Sequence, residues 1–218
     1  LCRTSERRQA DVPSFEPIAM STPVITFCWD PASPYTWLAA TQIDGLAARC
    51  GATVAWQPIV LGKVFEATGN RAPAAVAAKA RHLFRDLQRW AALYEVPLNF
   101  PTVFPVNSIA ALRMACAANE AGDGGRFALA VMRAYWVYGV DIGTPEALVA
   151  AMTAAGFDAV ALLEAGQQQP IKDQLRANTD DAIKRGAFGA PSFFVGDEMF
   201  WGNDRLVLLE RHLESLRR

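Results

Sequence analysis

Ser33 is the residue of this 218-residue chain whose setting most suggests chemistry. It stands before Pro34 and Tyr35, and that order marks a helix start with Ser as N-cap and Pro at the first helical position. A helix start leaves backbone N–H groups unpaired and carries roughly half a positive charge, so it favours an anion held at its mouth. By local sequence alone Ser33 reads as an ordinary helix cap. Other nucleophile chemistry has little material. Cys2, Cys28, Cys50 and Cys116 are far apart and form no C-x-x-C, so no dithiol redox site and no cysteine zinc site is spelled out. Cys28, Cys50 and Cys116 lie among apolar neighbours and read as small buried hydrophobes. The two histidines, His82 and His212, fall on helical patterns with charged neighbours and read as surface residues. No metal site is expected.

The elements that must position Ser33 emerge from the pattern around it. Val24 to Trp29 is a buried-strand run, broken by Asp30-Pro31-Ala32. The Ser33-Pro34 helix carries Leu38, Ile43 and Leu46, with Gly51 just past its end as the C′ residue. Thr53 to Ile59 reads as a second strand, giving a βαβ unit with a parallel, right-handed crossover. From Gly62 to Arg185 the strand signal disappears. Leu83, Leu87, Trp90 and Tyr94 share one helical face. Ser108 is a cap for a helix with Ile109, Leu112 and Cys116. Phe127, Val131, Tyr135 and Tyr138 mark the next. Thr144-Pro145, Asp158 and Pro170 begin three more, with Leu148 and Met152 on the first of these and Ile171, Leu175, Thr179 and Ala182 on the last. Ser192 to Val195 and Glu198 to Phe200 then flank Gly196-Asp197 as a II′ hairpin. Asn203 is the expected cap of a last helix bearing Leu206, Leu209, Leu213 and Leu216.

Composition excludes several classes. The chain is 52% hydrophobic and 20% charged, with a formal net charge of −1, so it is globular rather than disordered. No apolar run reaches the roughly 18 residues of a membrane span. The near-zero charge and the lack of a basic stripe argue against nucleic acid as a partner. Sparse cysteine makes the cytoplasm the default compartment. Residues 1–22 fit poorly with the rest of the chain. They carry Arg3, Arg7 and Arg8 without an apolar stretch, so no secretory signal is read there. Glu6, Asp11 and Glu16 interrupt a presequence pattern. Met20 just precedes the first strand, and residues 1–22 are expected to be a disordered or mis-annotated tail.

Three segments together resemble one family: Phe27 to Tyr35, Gly186 to Phe193, and Phe200 to Leu206. With Ala67-Thr68-Gly69-Asn70 they are similar to the 2-hydroxychromene-2-carboxylate isomerases, to kappa-class glutathione transferases and, more distantly, to bacterial disulfide oxidoreductases. The resemblance runs from about residue 24 to 216. It implies an α/β, thioredoxin-like fold, βαβ then ββα, with residues 24–60 and 186–218 forming the thioredoxin-like domain. Residues 62–185 would form a large all-helical insertion. It also implies a cis peptide before Pro191.

The redox relatives carry C-x-x-C where this chain has Ser33-Pro34-Tyr35-Thr36. A hydroxyl cannot form a disulfide, so thiol–disulfide exchange at this site is excluded, while an external thiol held at the helix start would be favoured as its thiolate. The resemblance supplies glutathione as that cofactor, with Ser33 donating to its sulfur. Ala190 and Pro191 would meet its cysteinyl part, Asn203 and Asp204 its γ-glutamyl end, and Asn70 a further contact. The implied reaction interconverts 2-hydroxychromene-2-carboxylate and trans-o-hydroxybenzylidenepyruvate by thiolate addition, rotation and elimination. A small aromatic carboxylate needs an apolar slot and a cation. Trp29, Tyr35, Trp37, Phe65, Trp90 and Trp201 are available for the slot, although each taken singly also suits a core. Lys63, Lys79, Arg81 and Arg85 are available cations, with Lys63 and Arg85 preferred; Tyr35 and Trp201 complete the expected substrate set. A kappa-like transferase or peroxidase acting on another electrophile is the alternative enzyme. A thioredoxin-fold binding protein without catalysis is the alternative from another class. Relatives of this kind imply a homodimer.

Overall fold

The computed structural model describes residues 22–71 and 76–217. The expectation for residues 1–22 therefore lies almost wholly outside the described residues. The first unit is β1 (Val24–Trp29), α1 (Pro34–Arg49) and β2 (Thr53–Pro58). β1 and β2 are parallel, in register from Val24 opposite Thr53 to Trp29 opposite Pro58. Seven helices come next: α2 (Leu61–Thr68), α3 (Ala77–Leu93), α4 (Ile109–Glu120), α5 (Gly124–Trp136), α6 (Pro145–Ala154), α7 (Ala159–Gly166) and α8 (Gln169–Lys184). The chain ends in β3 (Ser192–Val195), β4 (Glu198–Trp201), a 3₁₀ turn (Asn203–Arg205) and α9 (Leu206–Ser215). The sheet order is β2-β1-β3-β4, with β3 antiparallel to both of its neighbours. This is the βαβ then ββα topology of a thioredoxin-like fold.

Strand alternation sorts the two faces of the sheet. Ile25, Phe27 and Trp29 of β1 join Phe193 and Val195 of β3 in the larger core cluster. Cys28 and Phe194, one step out of phase, join Ile59, Val64, Ala182 and Ala187 on the opposite face. A one-residue slip would exchange the two sets, so the register is strongly specified. The larger cluster does not stop at the thioredoxin-like elements. It runs from Trp37 and Ile43 of α1 through Leu112 of α4 to Phe127, Val131 and Trp136 of α5.

Between β1 and α1, the chain turns around the carboxylate of Asp30. Its Oδ1 accepts the Ala32 N–H at 2.9 Å, and its Oδ2 accepts the Leu61 N–H at 2.9 Å. The Trp136 indole donates to the Pro31 carbonyl at 2.8 Å, tying α5 to the same loop. Asp30 is buried. Burial pushes its carboxyl above the ordinary range, against the opposing pull of the two amides, with the Ser108 side chain alongside.

Several local features differ from the sequence pattern. That pattern gives no separate helix over residues 61–68. Short α2 begins with its first amide held by Asp30 from another element, and ends at Gly69 with φ +69°. Asn203 does not cap α9: it opens a 3₁₀ turn entered through Gly202 at φ +99°. Tyr138 is 69% exposed because α5 ends at Trp136. Ile109 and Leu216, at the first turn of α4 and the end of α9, also face out rather than into the core. Ser108 stands before α4 without a side-chain cap bond.

Removing the Asp30 carboxylate should leave two amides unpaired. Asp30→Ala is expected to lower unfolding stability by about 1–3 kcal/mol in urea titrations, and Asp30→Asn to recover only part, since its NH₂ would face a donor. The cysteines give a second expectation. Cys28, Cys50 and Cys116 are free and buried. Desolvation pushes the thiols of Cys28 and Cys116 up to about 12. At pH 8 roughly one part in 10⁴ of such a thiol is thiolate. Peptide-mapped alkylation should leave all three unlabelled in the native protein and label them after unfolding.

Candidate functional site

The site is assembled where the start of α1, the loop before β3 and the turn after β4 meet. Ser33 is the N-cap of α1, with extended backbone (φ −95°, ψ 120°) and Pro34 after it. Its hydroxyl oxygen accepts the Thr36 N–H at 3.3 Å, and its proton is donated to the Ala190 carbonyl at 2.8 Å. One side chain thus accepts a capping bond within α1 and donates across to the loop before β3. The first turn of α1 holds no acidic residue, so nothing there offsets the positive end of this 16-residue helix.

Ala190 precedes a cis peptide to Pro191. The loop is held on three sides. Asn70 Nδ2 donates to the Phe188 carbonyl at 2.8 Å, Ser192 Oγ to the Gly189 carbonyl at 2.8 Å, and the Gly202 amide to the Pro191 carbonyl at 3.0 Å. Gly189 has a packing reason to be glycine. A Cβ there would stand 2.6 Å from the Trp201 indole nitrogen. Trp201 leans on Phe188, ring centroids 4.8 Å apart, and is 45% exposed.

Gly202 delivers Asn203 and Asp204 beside α1. Asn203 is buried, and its Nδ2 has no hydrogen-bond partner among the described residues. Its backbone carbonyl accepts the Tyr94 hydroxyl at 3.1 Å. Asp204 pairs with the adjacent Arg205. The Tyr35 hydroxyl donates to Asp86 Oδ2 of α3 at 2.7 Å. Burial and the acids Asp86 and Asp204 push the Tyr35 hydroxyl well up, and burial raises that of Tyr94 against the opposing pull of Asn203. Both phenols stay protonated donors. Asn203 and Asp204 line a small cavity of about 240 Å³ with Trp90, Tyr94 and Gln42.

The structure thus brings Ser33, Ala190 and Pro191 together, sets Asn70 against the same loop, and places Asn203 and Asp204 near Tyr35. Of the expected substrate residues, Tyr35 lies in the first turn of α1 beside Ser33 and Trp201 leans on the cis-proline loop, while Lys63 does not join them. Lys63 pairs with Glu66 at 2.7 Å and lines a different cavity, between α2, α4 and α8. Arg85 is exposed on α3 and forms no ion pair among the described residues. Trp29 and Trp37 are core residues, each 1% exposed, and the Trp37 indole donates to the Pro97 carbonyl. Sequence reasoning does not single out Asp30, Asp86 or Tyr94 as site residues. An Asp that ends a strand just before a capped helix is a recognisable loop acceptor, so Asp30 had a signal. Asp86 and Tyr94 reach the site only through the packing of α3. Among the described residues no group of three His, Cys, Asp or Glu side chains could hold a metal ion, and no helix is long and apolar enough to cross a membrane.

Comparison with known proteins agrees with the fold. The family model of the DSBA-like thioredoxin domain matches residues 24–214. The 2-hydroxychromene-2-carboxylate isomerase of Sphingobium xenophagum is 34% identical over 194 residues, covering 88% of this chain and 98% of that protein. Glutathione S-transferase kappa 1 of Homo sapiens is 26% identical, covering 83% of this chain and 86% of that protein. A solved structure of 2-hydroxychromene-2-carboxylate isomerase superposes with a TM-score of 0.81 at 32% identity, covering 89% of this chain and 96% of the other. The chain belongs to the DSBA-like thioredoxin domain family and to the family of the 2-hydroxychromene-2-carboxylate isomerases.

Proposed function

We propose that this protein is a glutathione-dependent isomerase that interconverts 2-hydroxychromene-2-carboxylate and trans-o-hydroxybenzylidenepyruvate. The observation that carries the reading is Ser33: a hydroxyl at a helix start with no acidic residue in its first turn, bonded to the carbonyl before Pro191. When bound, glutathione supplies a nucleophilic thiolate for reversible addition to a conjugated double bond. The residues present fit that group. A ligand amide that bonds the Ala190 carbonyl would release the Ser33 proton to donate to sulfur, while the positive end of α1 favours the thiolate. The unpartnered Asn203 Nδ2 is a donor that a ligand carboxylate can complete. Asp204 can take an ammonium, sharing its charge with Arg205, and Asn70 supports the loop through Phe188. Trp201 offers an aromatic wall beside the loop for a flat acid, and Tyr35, its proton committed to Asp86, adds its ring. Lys63 and Arg85 are the proposed cations for its carboxylate, reaching it only if their exposed side chains turn toward the site.

The same reading treats residues 24–60 and 186–218 as a thioredoxin-like unit carrying the helical insertion 62–185. It also treats the protein as a cytoplasmic homodimer; the three free, buried thiols suit a reducing compartment. A kappa-like transferase would use the same glutathione site with another electrophile, and a substrate panel separates the two.

The decisive assay monitors the absorbance of the chromene isomers with and without glutathione. Ser33→Ala should keep the fold, losing about 1 kcal/mol of capping, while kcat falls by about 10²-fold. Wild-type turnover that is independent of glutathione would overturn the mechanism. Gly189→Ala should force Trp201 and the cis-proline loop apart and raise the Kd for glutathione severalfold in calorimetry. Unchanged affinity would mean that this loop does not contact the cofactor.

A further inference from the structure

A second cavity, of about 680 Å³, lies between α2, α4 and α8. Of the residues proposed for glutathione and substrate, only Lys63 lines it, paired there with Glu66. Its size falls within the range of small-molecule sites. Val60, Ile109, Leu175 and Ile183 provide apolar lining. The charges around it are uneven. Glu66 is matched by Lys63, which leaves Arg113, Lys172 and Arg176 against Asp180 alone. Those three cations make no ion pair among the described residues. The Nε of Arg113 is buried and has no hydrogen-bond partner among the described residues. Leaving that donor unpaired is costly, and an anion beside the Arg113 guanidinium would offset the cost through its charge. Lys172 lies in the first turn of α8, whose N-cap Gln168 makes no side-chain cap bond, so the helix end adds to the positive potential. In a chain of net charge −1, this concentration of unopposed cations around an apolar cleft is a local feature.

We infer that the cleft binds a small organic anion with an apolar body, its acid group held by Arg113, Lys172 and Arg176. Neither inorganic phosphate, which lacks the body, nor a neutral aromatic, which lacks the charge, meets both halves of the site. The site is separate from the one around Ser33 and does not depend on the isomerase reading.

The probe is 1-anilinonaphthalene-8-sulfonate, titrated by fluorescence into the full chain at 0.1 M salt. Saturable binding to the wild type is expected. Lys172→Gln with Arg176→Gln should raise the Kd by about 10-fold, and Ser33→Ala should leave it unchanged. Arg176 is exposed and Lys172 half-buried, so this double variant keeps the core; matching circular dichroism and urea midpoints confirm that. Neutral 1-anilinonaphthalene should not saturate, and phosphate in tenfold excess should not displace the probe. Equal affinity in the wild type and a folded double variant would overturn the proposal. So would displacement by glutathione or weakened binding to Ser33→Ala, since either places the probe at the Ser33 site. Displacement by phosphate would reduce the cleft to a plain anion patch and overturn the apolar half of the inference.

Discussion

A buried carboxylate can be kept only where donors surround it, and Asp30 shows what that requirement does to a fold. Its two oxygens reach the amide of Ala32, one residue before Ser33, and the amide of Leu61, which opens α2. The neighbouring Pro31 carbonyl is held by the Trp136 indole of α5. One short loop therefore fixes the start of α1, the start of α2 and the packing of α5. The cost of burying the charge appears in the raised carboxyl of Asp30, and the hydrogen bonds offset it. Ser33 is thereby held at the mouth of α1 by contacts from both the sheet and the helical block.

The other half of the site comes from the far end of the chain. Ser33 and Ala190 are 157 positions apart, yet their hydrogen bond is 2.8 Å. Antiparallel pairing of β3 with β1 brings Ser192 opposite Cys28, which carries the cis-proline loop to the head of α1. Pairing of β4 with β3 then returns Trp201 to Ser192, and the Gly202 turn drops Asn203 beside α1. Asn70 reaches the same loop from the end of α2. The site is thus a junction of three loops, each ending an element whose register the sheet sets, and its precision comes from strand pairing rather than from any one motif.

Most of the element order is legible in the residues. Val24–Trp29 shows itself by an apolar β-branched run, α1 by Ser33-Pro34, and the β3–β4 hairpin by Gly196-Asp197 between apolar residues. Asp158, a cap by its position, does accept the Ala161 amide. The failures share one cause. α2 escapes the pattern because eight residues carry too little periodicity, and a partner from the end of β1 helps to start it. Tyr138 and Leu216 continue an apolar rhythm past the point where their helices stop, which periodicity cannot see. Asn203 resembles a cap because short polar residues after a glycine usually are; the Gly202 turn makes it the first residue of a 3₁₀ turn instead.

What the residues alone determined is the chemistry that is possible. Without a C-x-x-C pair there is no dithiol redox centre at the helix start, and with Ser33 there the chain has a place that favours an anion whatever surrounds it, because both depend on side-chain types and local backbone geometry. The tertiary structure decided which carbonyl Ser33 faces, that Asn203 keeps a buried donor free, and that Tyr35 is held by Asp86. It also decided that Lys63 pairs with Glu66 beside another cleft, around which Arg113, Lys172 and Arg176 gather. Those choices depend on contacts between residues far apart in the chain, and such contacts exist only once the sheet has set its register and the helices have packed against it.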